Sequence, residues 1–377
     1  MKLSAATSAA TNTGITGLII GRTYGRAACR PIHSLESTGR TIRMSRTIEH
    51  IREAAVDATL RMPLREWNWS EGVALYGLTT LWERTGSERI RTFLERWYGE
   101  HLGRGSIPET VNGTAPWAGL MKLSGKLGLV DYADRLADRV DHLLHRSLRL
   151  ANGAYEHTLT ETKFEKQMWV DTLFMAGLFL TEAGFRLGNE DAVEEGLKQF
   201  HVHVAGLQQP NGLFYHGWDE SKGSIIGCQW ARGNAWAAVV AVELLRILPE
   251  RYAEDRRIIR DVLHKQLMGL QAYQDLSGLW TTVVTEPGTY VESSAAAGIA
   301  YAVLRGIREG SVDPAFGEMA RMAYRAVCAL IDHDGVLRGV SSGTGVQSHP
   351  GEYHVIARDR LEGYGQGLLL LMLSEEL

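Results

Sequence analysis

A single aspartate stands inside an apolar and aromatic stretch of the chain, residues 167–177 (QMWVDTLFMAG). Burying a carboxylate without a partner is costly, so Asp171 is expected to be hydrogen-bonded, paired or used in chemistry. Burial also raises the pKa of a carboxyl group, which suits a proton donor that works near neutral pH. The alternative is a cap: the stretch reads as the start of a buried helix, and aspartate is common in the first turn. These residues alone do not decide between the two interpretations.

Further polar and aromatic residues fall at or near the starts of other apolar segments. Singly, each has an ordinary structural explanation, because Trp packs in cores and Asn ends turns. Together they describe a concave pocket with aromatic walls, one carboxylate, one fixed cation and a few amides. Such a pocket suits an anionic sugar, whose carboxylate an Arg can bind through two hydrogen bonds. The residues are Trp67, Trp69, Asn112, Trp117, Trp169, Asp171, Trp230, Arg232, Trp236 and Glu292.

Two histidines are candidates for the same pocket. His216 lies between aromatic residues in a loop that Pro210-Asn211-Gly212 opens, a short distance before residues 230–236. His157 has a weaker claim of the same kind. A lone histidine is more often structural, and that alternative stays open for both. A loop rich in Gly, Ser and His at residues 338–359 either covers the pocket or only connects helices.

Two kinds of helical segment alternate from residue 46 onward. Segments rich in small and apolar residues are expected to be buried, and amphipathic segments are expected to lie outside them. This alternation predicts an all-α fold, an (α/α)6 toroid of six helical hairpins, rather than an open solenoid or a two-lobed bundle. Gly and Ala let the inner helices approach closely. In a closed ring, the polar residues at the starts of these helices converge at one end, the mouth of the ring. The inner segments begin near 69, 112, 169, 232, 293 and 362; the outer ones span about 46–60, 88–101, 130–149, 190–207, 253–271 and 313–330. Residues 279–284 are the one candidate for a short hairpin.

Length and composition narrow the class of protein. The chain has 377 residues and a net charge of −4 with interspersed charges, which argues against a nucleic-acid partner. The three cysteines are far apart, so we expect reduced thiols and a cytoplasmic location. Residues 1–43 are expected to be a disordered extension or an upstream start, and 44–377 a single catalytic domain. The apolar patch at 15–20 is too short to span a membrane.

Motifs for other chemistries are missing from the sequence. It contains no dinucleotide-binding or phosphate-binding glycine loop, no His-Glu-x-x-His metal motif and no Gly-x-Ser-x-Gly elbow. We therefore expect neither a metal nor an organic cofactor. We also expect the protein to be a monomer or a homodimer.

Three motifs together resemble glycoside hydrolase family 105, the unsaturated rhamnogalacturonyl hydrolases, which are related to the unsaturated glucuronyl hydrolases of family 88. They are residues 168–176 (MWVDTLFMA), 215–219 (YHGWD) and 230–236 (WARGNAW). The resemblance runs from about residue 46 to the end. It implies an (α/α)6 enzyme that acts on lyase-generated oligosaccharides, most closely those from rhamnogalacturonan, whose non-reducing end is a 4,5-unsaturated uronic acid.

The resemblance also implies roles for individual residues. Asp171 would protonate C4 of the double bond and then activate the water that adds at C5. The residues implied to surround the unsaturated sugar are His157, Trp169, His216, Trp230, Arg232 and Trp236. The chain departs from the family pattern at Asn112, where many relatives have a second aspartate.

Two other hypotheses remain at this stage. One is a different (α/α)6 enzyme, an epimerase or an inverting glycosidase, and the latter needs a second carboxylate, for which Glu292 is the candidate. The other is a carbohydrate-binding protein without turnover.

Overall fold

The computed structural model describes residues 47–104, 107–123, 126, 132–159 and 164–376. These residues belong to one compact unit, Arg46–Leu377. The predictions made for residues 1–43 lie outside the described part. Of the helices that the structure describes, none is long and apolar enough to cross a membrane.

Six inner segments carry about half of the buried apolar side chains. Five are α-helices, and the segment after Asp171 begins with a π-helical turn before it becomes an α-helix. They are α2 (Trp69–Thr85), α4 (Val111–Leu123), the π-turn Leu173–Gly177 with α6 (Leu178–Leu187), α8 (Ala231–Ile247), α10 (Ser293–Arg308) and α13 (Gly363–Leu373). All six predicted inner segments are present.

Six amphipathic helices pack on the outside of these segments. Their bounds agree with the predicted ones to within a few residues, and Thr47 and Asn189 cap two of them through side-chain oxygens. They are α1 (Ile48–Arg61), α3 (Glu88–Leu102), α5 (Ala133–His145), α7 (Glu190–Leu207), α9 (Ala253–Ala272) and α11 (Gly317–Ala329). A four-residue helix, α12 (Pro350–Tyr353), lies in the long connection before α13.

The inner segments form a closed ring. Each packs against the next in the order α2, α4, α6, α8, α10, α13, and α13 packs against α2 again. The approach of α2 and α13 is close because both carry glycine there: a Cβ on Gly77 would lie 2.4 Å from the carbonyl oxygen of Gly367. The (α/α)6 toroid is therefore confirmed.

A small antiparallel sheet was not predicted. Strand β1 (Gln167–Trp169) pairs with β2 (Gly217–Asp219), and β2 pairs with β3 (Ser224–Ile226). The helix predicted to start at Trp169 was therefore placed too early, since that residue ends a strand. Residues 279–284 form isolated bridges, Trp230 with Val283 and Thr281 with Val291, and no hairpin of their own.

Four glycine turns link an outer helix to the inner segment that follows it. Gly153, Gly212, Gly278 and Gly335 have φ angles of 85°, 88°, 87° and 84°, which only glycine adopts without strain. The strand-like residues after each turn run toward the mouth of the ring. His157 and His216 each stand four residues after such a glycine.

Candidate active site

A cavity of about 230 Å³ lies at the N-terminal ends of the inner helices. Its wall is mostly aromatic and apolar, and it contains five of the ten residues singled out at the starts of the apolar segments and one of the two candidate histidines, His157. The described residues of the wall are Trp69, Asn112, His157, Leu159, Trp169, Asp171, Met175, Trp230, Gly343, Thr344 and Gly345.

The sheet and the π-turn together position Asp171. Strand β1 ends at Trp169, and the next residue, Val170, donates its N–H to the carbonyl of His216 at 2.9 Å. The pairing of β1 with β2 thus brings Asp171 beside His216. The carbonyl of Asp171 accepts the N–H groups of Phe174 and Met175, which starts the π-turn. Such turns occur often at functional sites.

The charge state of Asp171 depends on the groups around it. Burial raises its pKa, but the adjacent His216 lowers it, and His157 and Arg232 act in the same direction. The net result is a pKa below the ordinary value for aspartate. The prediction that burial leaves this carboxyl group with a raised pKa is therefore wrong, because the sequence did not show how many donors surround it.

His216 is fully buried and touches Asp171 directly. Its Nε2 lies 3.3 Å from Oδ2 of Asp171, and its ring stacks on Trp230 with centroids 4.3 Å apart. The other ring nitrogen, Nδ1, lies 2.7 Å from the hydroxyl of Tyr353. Both edges of the imidazole are therefore occupied by protein groups.

His157 forms the other side of the cavity. Its ring stacks on Trp169 at 4.4 Å, and its Nδ1 lies 2.9 Å from the hydroxyl of Thr172. Burial lowers the pKa of His157 to about 4. At neutral pH this side chain is therefore an uncharged hydrogen-bonding group, as a contact to sugar hydroxyls requires.

Arg232 is completely buried between the rings of Trp230 and Tyr364, each 4.6 Å away. Its terminal nitrogens bind a loop: Nη1 donates to the carbonyl and hydroxyl oxygens of Ser341, and Nη2 to the carbonyl of Ser342 and the hydroxyl of Thr344. These contacts occupy the edge of the guanidinium that would bind a carboxylate. In this structure Arg232 holds the loop over the cavity.

Glu292 lies behind Arg232 and outside the cavity wall. It caps α10 by accepting the N–H of Ala295, and it also accepts hydrogen bonds from Ser294 and from the N–H of Ser341. The Oε1 atom of Glu292 lies 3.2 Å from Nη1 of Arg232. Because both of its oxygens have protein partners, Glu292 is a structural carboxylate here. It does not provide the second carboxylate that an inverting glycosidase needs.

Asn112 and Trp69 line the cavity at the starts of α4 and α2. The Oδ1 atom of Asn112 is buried and has no hydrogen-bond partner among the described residues, so it is available to a ligand. Trp69 stacks on Tyr364 with centroids 4.6 Å apart. Asn68 caps α2, since its side-chain oxygen accepts the N–H of Trp69.

Three of the tryptophans singled out from the sequence lie in the core. Trp67 donates its indole N–H to the carbonyl of Gly113 and packs against Trp97 and against the second of the three, Trp117. Trp236 is buried a full turn into α8 and packs against Phe174. None of the three belongs to the described wall of the cavity. Their positions support the helices that carry the wall.

The loop at residues 338–359 does cover the pocket. Gly343, Thr344 and Gly345 form part of the wall, and a Cβ on Gly345 would lie 3.4 Å from the ring of Trp169. Sequence reasoning did not single out these residues or Tyr353. The one available signal was the density of Gly and Ser in a long connection.

Among the described residues, one group has the geometry to hold a metal ion. It consists of Asp332, His333 and Asp334 in a surface turn. Asp332 already accepts the N–H groups of Asp334 and Val336 and binds Arg338. The group is therefore explained by the turn.

These features define a helical toroid with an aromatic cavity. Its described wall has one carboxylate, Asp171, and one imidazole, His157, and a second imidazole, His216, touches the carboxylate. The arrangement is suited to acid–base chemistry on a sugar. The model of Glycosyl Hydrolase Family 88 matches residues 42–377. The chain belongs to this family.

Several relatives agree with this assignment. The unsaturated rhamnogalacturonyl hydrolase YesR of Bacillus subtilis is 35% identical over 315 residues, which cover 82% of this chain and 90% of that protein. A possible member of the GH105 family from Salmonella enterica serovar Paratyphi A superposes with a TM-score of 0.82 at 29% identity, covering 89% of this chain and 95% of that one. The unsaturated glucuronyl hydrolase of Bacillus sp. GL1 has the same fold, with a TM-score of 0.67 at 18% identity over 87% of this chain and 96% of its own.

Proposed function

We propose that the protein removes the 4,5-unsaturated uronic acid from the non-reducing end of lyase-generated oligosaccharides, and that these derive from rhamnogalacturonan. The observation that carries this proposal is that Asp171 is the one carboxylate among the described residues of the cavity wall. Hydration of a double bond needs one group that gives and then takes a proton. An inverting glycosidase instead needs two carboxylates about 6.5–9.5 Å apart. The activity for which the Bacillus subtilis relative is named, unsaturated rhamnogalacturonyl hydrolysis, supports the same substrate class.

The proposed reaction begins at the C4–C5 double bond, which is conjugated with the ring oxygen. Protonated Asp171 donates its proton to C4, and the positive charge that forms is shared by C5 and the ring oxygen. The resulting carboxylate of Asp171 takes a proton from water while the water oxygen bonds to C5. The hemiketal then opens to a ketone at C5. Its opening leads to release of the remaining sugar from C1, so that one water is consumed for each bond cleaved.

The residues around Asp171 suit the two halves of this cycle. Trp169 and Trp230 offer apolar faces to the sugar ring, and His157 offers an uncharged donor or acceptor. The contact with His216 favours the carboxylate form of Asp171, which is the form that activates water. Since the first step needs the protonated form, the rate is expected to fall as the pH rises above the pKa of Asp171.

Loss of ultraviolet absorbance by the conjugated uronate reports the reaction directly. On a panel of lyase digests, we expect the wild-type protein to bleach a rhamnogalacturonan digest and Asp171→Asn to lose at least about a hundredfold in rate, the usual contribution of acid–base catalysis. The rate of the wild-type protein should increase toward acidic pH.

The matched control is Asp313→Asn. This exposed aspartate caps a short helical turn, and asparagine caps equally well, so activity should be unchanged. Full activity of Asp171→Asn would refute the mechanism. Bleaching of only a glycosaminoglycan digest would keep the mechanism and replace the substrate.

We further propose that the protein acts in the cytoplasm as a monomer or homodimer. Support comes from its cysteines: the two that the structure describes, Cys228 and Cys328, are free, as is usual in a reducing compartment. Cell fractionation and light scattering of the purified protein test the two statements separately.

A further inference from the structure

His216 has a second partner that its role next to Asp171 does not explain. The hydroxyl of Tyr353 lies 2.7 Å from Nδ1 of His216, on the side of the ring opposite to Asp171. Tyr353 is fully buried and does not belong to the described wall of the cavity. It therefore reaches the reaction only through His216.

The fold makes a specific place for this hydroxyl. Tyr353 ends the short helix α12, and its oxygen accepts the N–H of Gln347 at 3.2 Å. Gly227 also approaches this hydroxyl. It has a φ of 77°, and a Cβ there would lie 2.5 Å from the Tyr353 oxygen and 3.0 Å from Cβ of His216. A larger residue at position 227 would therefore clash with both members of the pair.

The hydrogen positions follow from the partners. Ionised Asp171 can only accept hydrogen bonds. Its contact with Nε2 of His216, at 3.3 Å, is therefore favourable only if that nitrogen carries a hydrogen. In a neutral imidazole the other nitrogen, Nδ1, is then an acceptor. The oxygen of Tyr353 already accepts the N–H of Gln347, and its own proton is available to Nδ1.

We propose that Tyr353 is a positioning residue that holds His216 as the Nε2–H tautomer, so that an N–H group, and not a lone pair, faces Asp171. This inference rests on the proposed function, in which Asp171 gives and takes the proton. It deepens that function by assigning the group that keeps the carboxylate form of Asp171 stabilised between the two steps.

Removing the hydroxyl should release this constraint. In Tyr353→Phe, Nδ1 loses its donor, and His216 is free to carry its hydrogen there and to present a lone pair to Asp171. A lone pair facing Asp171 favours the protonated carboxyl group and raises its pKa. The other charged or titratable groups near the pair are His157 and Arg232 beside Asp171, and Cys228 beside Tyr353. None of them changes in this variant.

Two measurements on the full-length protein test the proposal. Nitrogen-15 correlation spectra of the histidine rings distinguish protonated from unprotonated nitrogens, and the His216 signals are identified by their absence in His216→Gln. We expect Nε2–H in the wild-type protein and a change of tautomer in Tyr353→Phe. The falling limb of kcat/KM against pH should move to higher pH by about one unit, comparable to the loss of a hydrogen bond to a charged group.

The matched control is Tyr324→Phe on the outer helix α11. Tyr324 is also buried, and its hydroxyl has no hydrogen-bond partner among the described residues. This variant should leave both the His216 signals and the pH profile unchanged, whereas a general loss of stability would lower the rate at every pH without moving the limb.

The outcomes separate this proposal from the proposed function. A wild-type protein with Nδ1–H at His216, or a Tyr353→Phe variant with unchanged tautomer and pH profile, overturns the role of Tyr353. If no lyase digest is consumed by the wild-type protein, the proposed function fails, and the ring spectra alone still decide the tautomer.

Discussion

At the scale of single residues, Asn112 is the position where this chain differs most informatively from the pattern implied by its family. Its side chain lines the same cavity as Asp171, and its Oδ1 has no partner among the described residues. A carboxylate here would place a second negative charge in the cavity. The neutral amide leaves Asp171 as the one acidic group in the described wall.

The substitution Asn112→Asp tests what this neutrality does. A like charge disfavours ionisation of its neighbour, so the pKa of Asp171 should rise. Because the first step needs protonated Asp171, the falling limb of the rate against pH should move upward by roughly one unit. The measurement is the initial rate of absorbance loss between acidic and neutral pH.

Asn189→Asp provides the control for Asn112→Asp. Asn189 caps α7 by accepting the N–H of Ala192. It follows the C-terminal end of α6, whereas the cavity lies at the N-terminal ends of the inner segments, and aspartate caps equally well. Its pH profile should match that of the wild-type protein. A profile of Asn112→Asp that also matches would show that the two side chains do not interact electrostatically.

The sequence identified the chemistry of the site better than its geometry. Helical spacing predicts that Trp236 is near the start of an inner helix, but it does not show on which face the indole lies; the side chain packs against Phe174 in the core. The partners of Arg232 are more than a hundred residues away in a loop without a pattern. Contacts of this kind depend on tertiary packing, and no local signal encodes them.

At the scale of elements, the glycine turns decide where the histidines lie. Gly212 precedes His216 by four residues and has a φ of 88°, and a Cβ on it would lie 2.0 Å from the backbone oxygen of Lys265. The turn therefore needs glycine at this position for two reasons: the backbone conformation and the close contact with α9. The repeated Asn-Gly or Ser-Gly pairs were the signal in the sequence, at residues 152–153, 211–212 and 277–278.

We expect Gly212→Ala to destabilise the protein strongly and to reduce activity, because the clash is with backbone that cannot turn aside. The comparison is Gly188→Ala, at a helix end with a φ of 64° and no atom within 4 Å of the added Cβ. The left-handed conformation alone costs about 1 kcal/mol, and overpacking adds roughly 1–3 kcal/mol. Urea denaturation and kcat measure the two effects; equal destabilisation by both variants would contradict the packing argument.

Element types followed from the sequence wherever the hydrophobic pattern was long. The six outer helices have clear polar and apolar faces, so their bounds were predicted to within a few residues. The sheet of β1, β2 and β3 was missed because each strand has three residues, too few to show an alternating pattern.

At the scale of the whole molecule, a buried polar network joins five of the inner helices toward their C-terminal ends. Its centre is Glu243 of α8, which accepts the hydroxyls of Tyr76 from α2 and Tyr301 from α10. Lys122 from α4 lies 3.5 Å from Glu243, and Arg246 lies 3.0 Å from it and 2.9 Å from Glu182 of α6. The cavity and this network thus occupy opposite ends of the same helices.

The network explains how a ring with small residues at its axis keeps a fixed arrangement. Burial raises the pKa of Glu243, but the charges of Lys122, Arg246 and Arg305 lower it well below its ordinary value. Glu243 is therefore ionised, and it is the buried carboxylate that Lys122 and Arg246 share. Loss of this carboxylate would leave Lys122 with Glu83 and Arg246 with Glu182 as their remaining acidic partners.

Glu243→Gln is therefore expected to destabilise the protein by about 3–5 kcal/mol, the usual result of removing one partner of a buried pair. The same change at Glu254, which pairs with Arg257 on the surface of α9, should have little effect because exposed ion pairs contribute little. Urea denaturation of both variants gives the two free energies. If Glu243→Gln were as stable as the wild-type protein, the ring would be held by apolar packing alone. In the expected case, Glu243→Met with Lys122→Met should recover part of the loss, since an apolar replacement of both partners also removes the buried charge of Lys122.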